Sequence, residues 1–99
     1  MRFDWDERKN RANREKHGIT FEAASRVFDD PLIVSEHDGY QNGEERFRVL
    51  GMMDGVVILF VVFTFRSNEM GEEVTRIISA RRATPQERLV YEEETRPYR

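Results

Sequence analysis

The sequence contains no cysteine. That removes disulfide frameworks, thiol nucleophiles and every cysteine-based zinc or iron–sulfur site, and it suits a reducing, cytoplasmic setting. Only two histidines are present, so neither a metal site nor a cofactor is expected. Proline is scarce, with three residues, and no repeat or Pro/Ser-rich linker breaks the chain; one domain over residues 1–99 is the expectation. Long apolar runs are lacking too. The longest, Val56 to Phe65, is interrupted by Thr64, whereas a membrane-spanning helix needs about 20 apolar residues. The opening Met1-Arg2-Phe3-Asp4-Trp5-Asp6 does not read as a signal peptide, and no membrane contact is expected. An excess of positive charge is also missing. The net charge of −3 speaks against a general nucleic-acid coat, so any contact with RNA or DNA must come from a local patch.

What is present is aromatic and patterned. Seven Phe, three Tyr and one Trp supply the large apolar groups that a small core needs. Phe3-Asp4-Trp5 reads as a short strand, with Asp6 as N-cap of a helix over about Glu7 to His17 that Gly18 stops. Thr20 caps a second helix whose Phe21, Ala24, Val27 and Phe28 form one apolar face. Asp29-Asp30-Pro31 ends it. Leu32-Ile33-Val34 is a strand candidate, and the polar stretch from Glu36 to Gly43 reads as a loop or an open hairpin. Arg46 to Leu50 alternates as a half-buried strand does. Met53-Asp54-Gly55 marks a hairpin turn, and Val56 to Phe65 is expected to be a central strand covered on both sides. After a connecting loop from Ser67 to Glu73, Val74 to Ala80 forms a last strand. Thr84-Pro85-Gln86-Glu87 is a complete capping box for a closing helix. The order β-α-α-β-β-β-β-α predicts an α+β fold with a mainly antiparallel sheet.

Three places could carry chemistry. The first helix has Ala12 as its only apolar residue, so no stripe is available for docking. Its five cations, Arg8, Lys9, Arg11, Arg14 and Lys16, outnumber Glu7 and Glu15, and Lys9, Asn13 and Lys16 fall on one polar face. The alternative is a solvated helix held by Glu–Lys pairs. A second basic cluster comprises Arg76, Arg81, Arg82 and Arg88. Along a strand that reaches so far, Arg76 and Arg82 share one face and Arg81 takes the other. On the closing helix Tyr91 lies one turn after Arg88 and Glu87 and could stack on an unpaired base; equally, these arginines could pair with Glu92-Glu93-Glu94. His17 suits acid–base work near neutrality, though the helix macrodipole alone accounts for a histidine in a last turn. Glu45 reads as a general base or as an ion-pair partner.

At this point the residues resemble a known family. Phe3-Asp4-Trp5-Asp6, Lys9-Asn10, Asn13, Lys16-His17-Gly18 and Phe21 are similar to the opening of the BrnT toxins of type II toxin–antitoxin systems. Glu45-Arg46 with Gly51 resembles the middle, and Arg76-Ile77-Ile78-Ser79-Ala80-Arg81-Arg82-Ala83-Thr84 with Glu87-Arg88 and Tyr91 resembles the closing motif. The resemblance implies a RelE-like fold and a ribonuclease that blocks translation by cutting RNA. It also implies a BrnA-like antitoxin, in a complex of two plus two, through which alone the toxin reaches operator DNA. Its chemistry would be metal-independent, with the RNA 2′-hydroxyl as nucleophile. The catalytic expectation then falls on His17, Glu45, Arg81, Arg82 and Tyr91, and the RNA-binding expectation on Lys9, Lys16, Arg46, Arg66, Arg76 and Arg88. The competing reading is a non-catalytic module that binds a DNA-binding partner through the same basic patches. The Ser67 to Glu73 connection is longer and more acidic than the family pattern.

Overall fold

A computed structural model describes residues 1–98. Its elements are strand β1 (Phe3–Asp4), helix α1 (Glu7–His17), helix α2 (Phe21–Ser25) continued by a 3-10 turn (Arg26–Asp29), strands β2 (Val34–Gln41), β3 (Glu44–Met53), β4 (Val57–Ser67) and β5 (Glu73–Arg82), helix α3 (Pro85–Thr95) and a 3-10 turn (Arg96–Tyr98). The five strands form one sheet in the order β1-β5-β4-β3-β2. β2 to β5 run antiparallel to their neighbours, and β1 alone pairs in parallel, with β5. The α+β expectation is met.

The expected punctuation is in place. Asp6 accepts the backbone N–H groups of Arg8 and Lys9, and Gly18 ends α1 in the left-handed region at φ 73°. Thr84 and Glu87 close both halves of the capping box. Asp54 and Gly55, at φ 55° and 69°, are the central residues of a turn closed by the Val56 N–H on the Met53 carbonyl, within the three-residue connection 54–56 between β3 and β4; positive φ at both central positions is the primed geometry that suits the twist of a hairpin.

Two segments differ from expectation. Leu32 and Ile33 are not strand: the Asp30 carboxylate accepts the Leu32 N–H and the Asp30 carbonyl accepts the Ile33 N–H, which folds them into a turn. The polar stretch from Glu36 onward is instead most of β2, closed onto β3 by Asn42-Gly43 at φ 52° and 77°. β2 is an edge strand with both faces largely exposed, so its hydropathy carries no alternation to read.

One face of the sheet packs against α1, α2 and the 3-10 turn. Val49, Leu59, Val61, Phe63, Ile77 and Ala80 meet Ile19, Phe21, Ala24 and Val27 there. Burying each of the larger side chains contributes about 1.5–3 kcal/mol. The 3-10 turn comes so close to β3 that a Cβ on Gly51 would lie 2.9 Å from the Val27 Cβ. The opposite face is covered at one end only, where Tyr91 of α3 packs with Leu50 and Ile58, so β4 is central in the sheet but not covered on both sides as its apolar run predicts.

α1 docks without an apolar stripe. The Asn13 side chain is buried and donates to the Ile19 carbonyl at 2.9 Å and the Ala80 carbonyl at 2.7 Å, while accepting the Ala80 N–H at 3.2 Å. It pairs with the free edge of β5 much as another strand would. Asn10, one turn earlier, accepts the Phe21 N–H at 2.8 Å. Asn13 therefore belongs to the docked side of α1, not to a solvated face shared with Lys9 and Lys16. An amide that matches the peptide group replaces hydrophobic contact, because a buried backbone edge needs hydrogen-bond partners.

Candidate nucleic-acid interface

Strand register sorts the arginines. Directly opposed residues project to the same face, and the pairs Arg48–Val62, Leu50–Phe60, Phe60–Arg81, Thr64–Arg76 and Arg66–Val74 all lie on the open face. Arg46, two residues from Arg48, shares that side. Arg46, Arg48, Arg66, Arg76 and Arg81 thus gather on one surface from three strands.

The grouping depends on a bulge. Val62 pairs with Ser79 and Phe63 with Ile77, which leaves Ile78 as an extra residue in β5. A bulge reverses the alternation beyond it. Arg76 and Arg81 consequently share a face, and Arg82, opposite Leu59, takes the helix-packed side. This reverses the pairing that plain alternation predicts, Arg76 with Arg82.

Each guanidinium is held. Arg81 donates from both terminal nitrogens to the two Glu87 oxygens at 2.7 and 3.0 Å, and its guanidinium carbon lies 4.3 Å from the centroid of the Phe60 ring. Arg48 spans Glu36 at 2.7 Å and Asp38 at 2.9 Å. Arg66 meets Glu44 at 2.8 Å, Arg46 reaches the same carboxylate at 3.5 Å, and Arg76 meets Asp4 at 3.2 Å. The Arg46 Nε is buried and has no hydrogen-bond partner among the described residues. The hydrogen bond from Arg66 holds the Glu44 carboxyl below its usual range, and that from Arg81 does the same for Glu87. The Glu87 carboxylate occupies the positions that two phosphate oxygens take on a guanidinium fork. Of the second basic cluster, Arg76 and Arg81 thus pair with Asp4 and Glu87, not with Glu92-Glu93-Glu94.

The remaining site candidates lie elsewhere. Lys9 and Lys16 are exposed on α1, and none of its five cations is ion-paired among the described residues. α1 runs along β5, and its last turn, with Lys16 and His17, follows the Asn13–Ala80 contact toward the Arg82 end of the strand. Arg82 and Arg88 border one shallow depression with Glu92. Glu45 projects from the helix-packed side of β3 opposite Tyr40, away from its neighbour Arg46. Tyr91 is 1% exposed and its hydroxyl donates to Asp30, so its ring has no free face for a base in this arrangement. Sequence reading passed over Arg48, although Arg46-x-Arg48 on an alternating strand puts both on one face. It also passed over Tyr40, and it weighed His37 only as a loop residue and poor metal ligand, whereas His37 lies in β2 and both side chains contact Glu45. Among the described residues no group of three or more His, Cys, Asp or Glu is placed to hold a metal, and no helix is long and apolar enough to cross a membrane.

Fold and surface together define a small α+β protein with an arginine-lined sheet face. The family described as "Ribonuclease toxin, BrnT, of type II toxin-antitoxin system" matches residues 5–87, and the chain belongs to that family. It is therefore a member of a ribonuclease toxin family whose partner is a protein antitoxin. Among solved structures, the crystal structure of the Brucella abortus ribonuclease toxin BrnT is similar, with a TM-score of 0.59 at 24% identity over 85% of this chain and 97% of that one. At that identity the likeness speaks to fold. No curated protein matches.

Proposed function

We propose that the chain is a metal-independent endoribonuclease that blocks translation in the cytoplasm, and that residues 1–99 act as one domain. The observation that carries this reading is the convergence of Arg46, Arg48, Arg66, Arg76 and Arg81 on the uncovered sheet face. An RNA phosphate displaces the carboxylates there and takes over their forked contacts. The 2′-oxygen then bonds to the adjacent phosphorus as the P–O5′ bond breaks. The proton lost from the 2′-hydroxyl ends on the departing 5′ oxygen, and a 2′,3′-cyclic phosphate remains. His17, Lys16 and Arg82 stand toward the end of β5 and Tyr91 is buried, so the open face works chiefly by positioning and by stabilising charge on phosphate. The unpaired cations of α1, with Arg88, attract the flanking backbone.

A BrnA-like antitoxin, in a complex of two plus two, neutralises the toxin by placing acidic side chains on the same arginines, and operator DNA is reached only through it. That each arginine already carries a carboxylate partner supports this mode. The test is incubation of the purified chain with RNA in EDTA, followed by analysis of the product ends. Cyclic phosphate ends, lost in the double variant Arg46→Ala/Arg81→Ala with its circular dichroism unchanged, are the expected result. A folded double variant that cuts at the wild-type rate removes the assignment, and intact RNA with the folded wild-type chain favours a non-catalytic partner module.

A further inference from the structure

A second surface lies at the free end of β2, β3 and β4, on the side of the sheet away from the arginines. Tyr40 opposes Glu45, His37 opposes Phe47, and Phe47 opposes Phe63. Their rings run in series: Tyr40 to His37 at 5.3 Å, His37 to Phe47 at 5.6 Å, and Phe47 to Phe65 at 5.4 Å between centroids. Phe47 packs against the core, while His37 is exposed and Tyr40 and Phe65 are 70% and 41% exposed. Beside them the Glu45 carboxylate is fixed by two donors on a single oxygen. Oε2 accepts from His37 Nε2 at 2.8 Å and from the Tyr40 hydroxyl at 3.2 Å. The Gly39 N–H donates to His37 Nδ1 at 3.2 Å, which leaves the ring proton on Nε2 and directs it at Glu45. The other oxygen, Oε1, accepts nothing among the described residues.

We propose that Tyr40, Phe65 and Glu45 form a subsite for one unpaired nucleobase that carries an exocyclic amine. The proposal rests on the ribonuclease reading of the arginine face. Exposed rings offer a stacking surface to any base. A fixed carboxylate oxygen then selects among bases: adenine, cytosine and guanine present an amine donor, whereas the uracil edge is dominated by carbonyl acceptors that face Oε1 with like charge. The two surfaces are continuous along the chain. Phe65 and Arg66 are neighbours, as are Glu45 and Arg46, and each pair projects to opposite sides. A single strand with its phosphates on Arg66 and Arg46 can therefore turn an adjacent base over the end of the sheet. A protein partner fits less well. An acidic segment is repelled by Glu45, and an apolar one buries Oε1 without a donor.

The experiment uses fluorescently labelled 2′-O-methyl hexamers of A, C and U, which have no free 2′-hydroxyl, and fluorescence anisotropy with the full chain in EDTA. The wild-type chain is expected to bind the A and C hexamers about fivefold or more tightly than U. Tyr40→Ala/Phe65→Ala lowers affinity for all three about tenfold. Glu45→Gln keeps the U affinity and brings the three within about twofold, as loss of one selective contact requires. Thermal melting of both variants confirms that they are folded. Equal wild-type affinities, or variants that bind as wild type does, overturn the subsite. Loss of antitoxin binding with hexamer binding intact also overturns it and marks a protein-docking surface. If the subsite fails while Arg46→Ala/Arg81→Ala still abolishes cleavage, the ribonuclease reading stands without it. If no hexamer binds and no RNA is cut, both fall.

Discussion

The two faces of this sheet are made from alternate residues of the same strands, and they hold opposite chemistry. The packed face presents Val49, Leu59, Val61, Phe63 and Ile77, all buried against α2 and its 3-10 extension. The open face presents five arginines with carboxylate partners, most of them at or near the surface. Exposed ion pairs contribute about 0–1 kcal/mol each, so the open face adds little to stability. The comparison separates the labour: one side holds the fold, the other keeps paired charges open to the ligand proposed for it.

That separation can be broken from either side. The largest effect is expected from Phe21→Ala, which empties a fully buried position and costs about 3–5 kcal/mol. Urea denaturation measures it, and cleavage per folded molecule stays at the wild-type level. Arg81→Ala is the mirror case. Removing one preorganised donor from the proposed phosphate site is expected to lower the cleavage rate about 100-fold or more, while the unfolding free energy from urea denaturation changes by less than about 1 kcal/mol. A variant whose midpoint collapses along with its rate would place Arg81 in the fold instead.

Asn13→Ala tests the docking of α1. It strips partners from the Ile19 and Ala80 peptide groups, and we expect a loss of about 2–3 kcal/mol with faster amide exchange along α1; unchanged exchange would mean that other contacts hold the helix. The smallest effect concerns pH. Arg81 depresses the Glu87 pKa in the folded state, so the stability it contributes is present above the unfolded carboxylate value and is lost as pH falls through the folded one. Wild type should exceed Glu87→Gln by no more than about 1 kcal/mol above roughly pH 4.5, and the gap should close on acidification. A gap that persists at pH 2 would exclude this linkage.

Much of this was legible in the residues themselves. Asp6, Gly18, Thr20 and Thr84 announce helix ends because capping is local chemistry, and Asp54-Gly55 announces a turn because few residues adopt a positive φ. β2 was hidden because an exposed edge strand has no buried face to impose alternation. α1 looked undockable because hydrophobic periodicity cannot register an asparagine that imitates a strand. The convergence of arginines was only half visible. Arg46, Arg66, Arg76 and Arg81 could be named as cations, but their common side depends on cross-strand register, a long-range property that no local window contains. Glu45 could be named as well, yet its two fixing donors come from β2, the strand that sequence concealed.

The extra residue at Ile78 has a consequence for how this chain tolerates change. Replacing Ile78 alters one side chain. Deleting it would leave Ser79 opposite Val62 and Ile77 opposite Phe63 in plain alternation, with Arg76 still on the open face, whereas pairing Ile78 regularly with Phe63 would turn the Arg76 guanidinium toward the aromatic interior and Ile77 toward the arginines. Along this strand, the place where pairing skips a residue decides which side chains reach the arginine face.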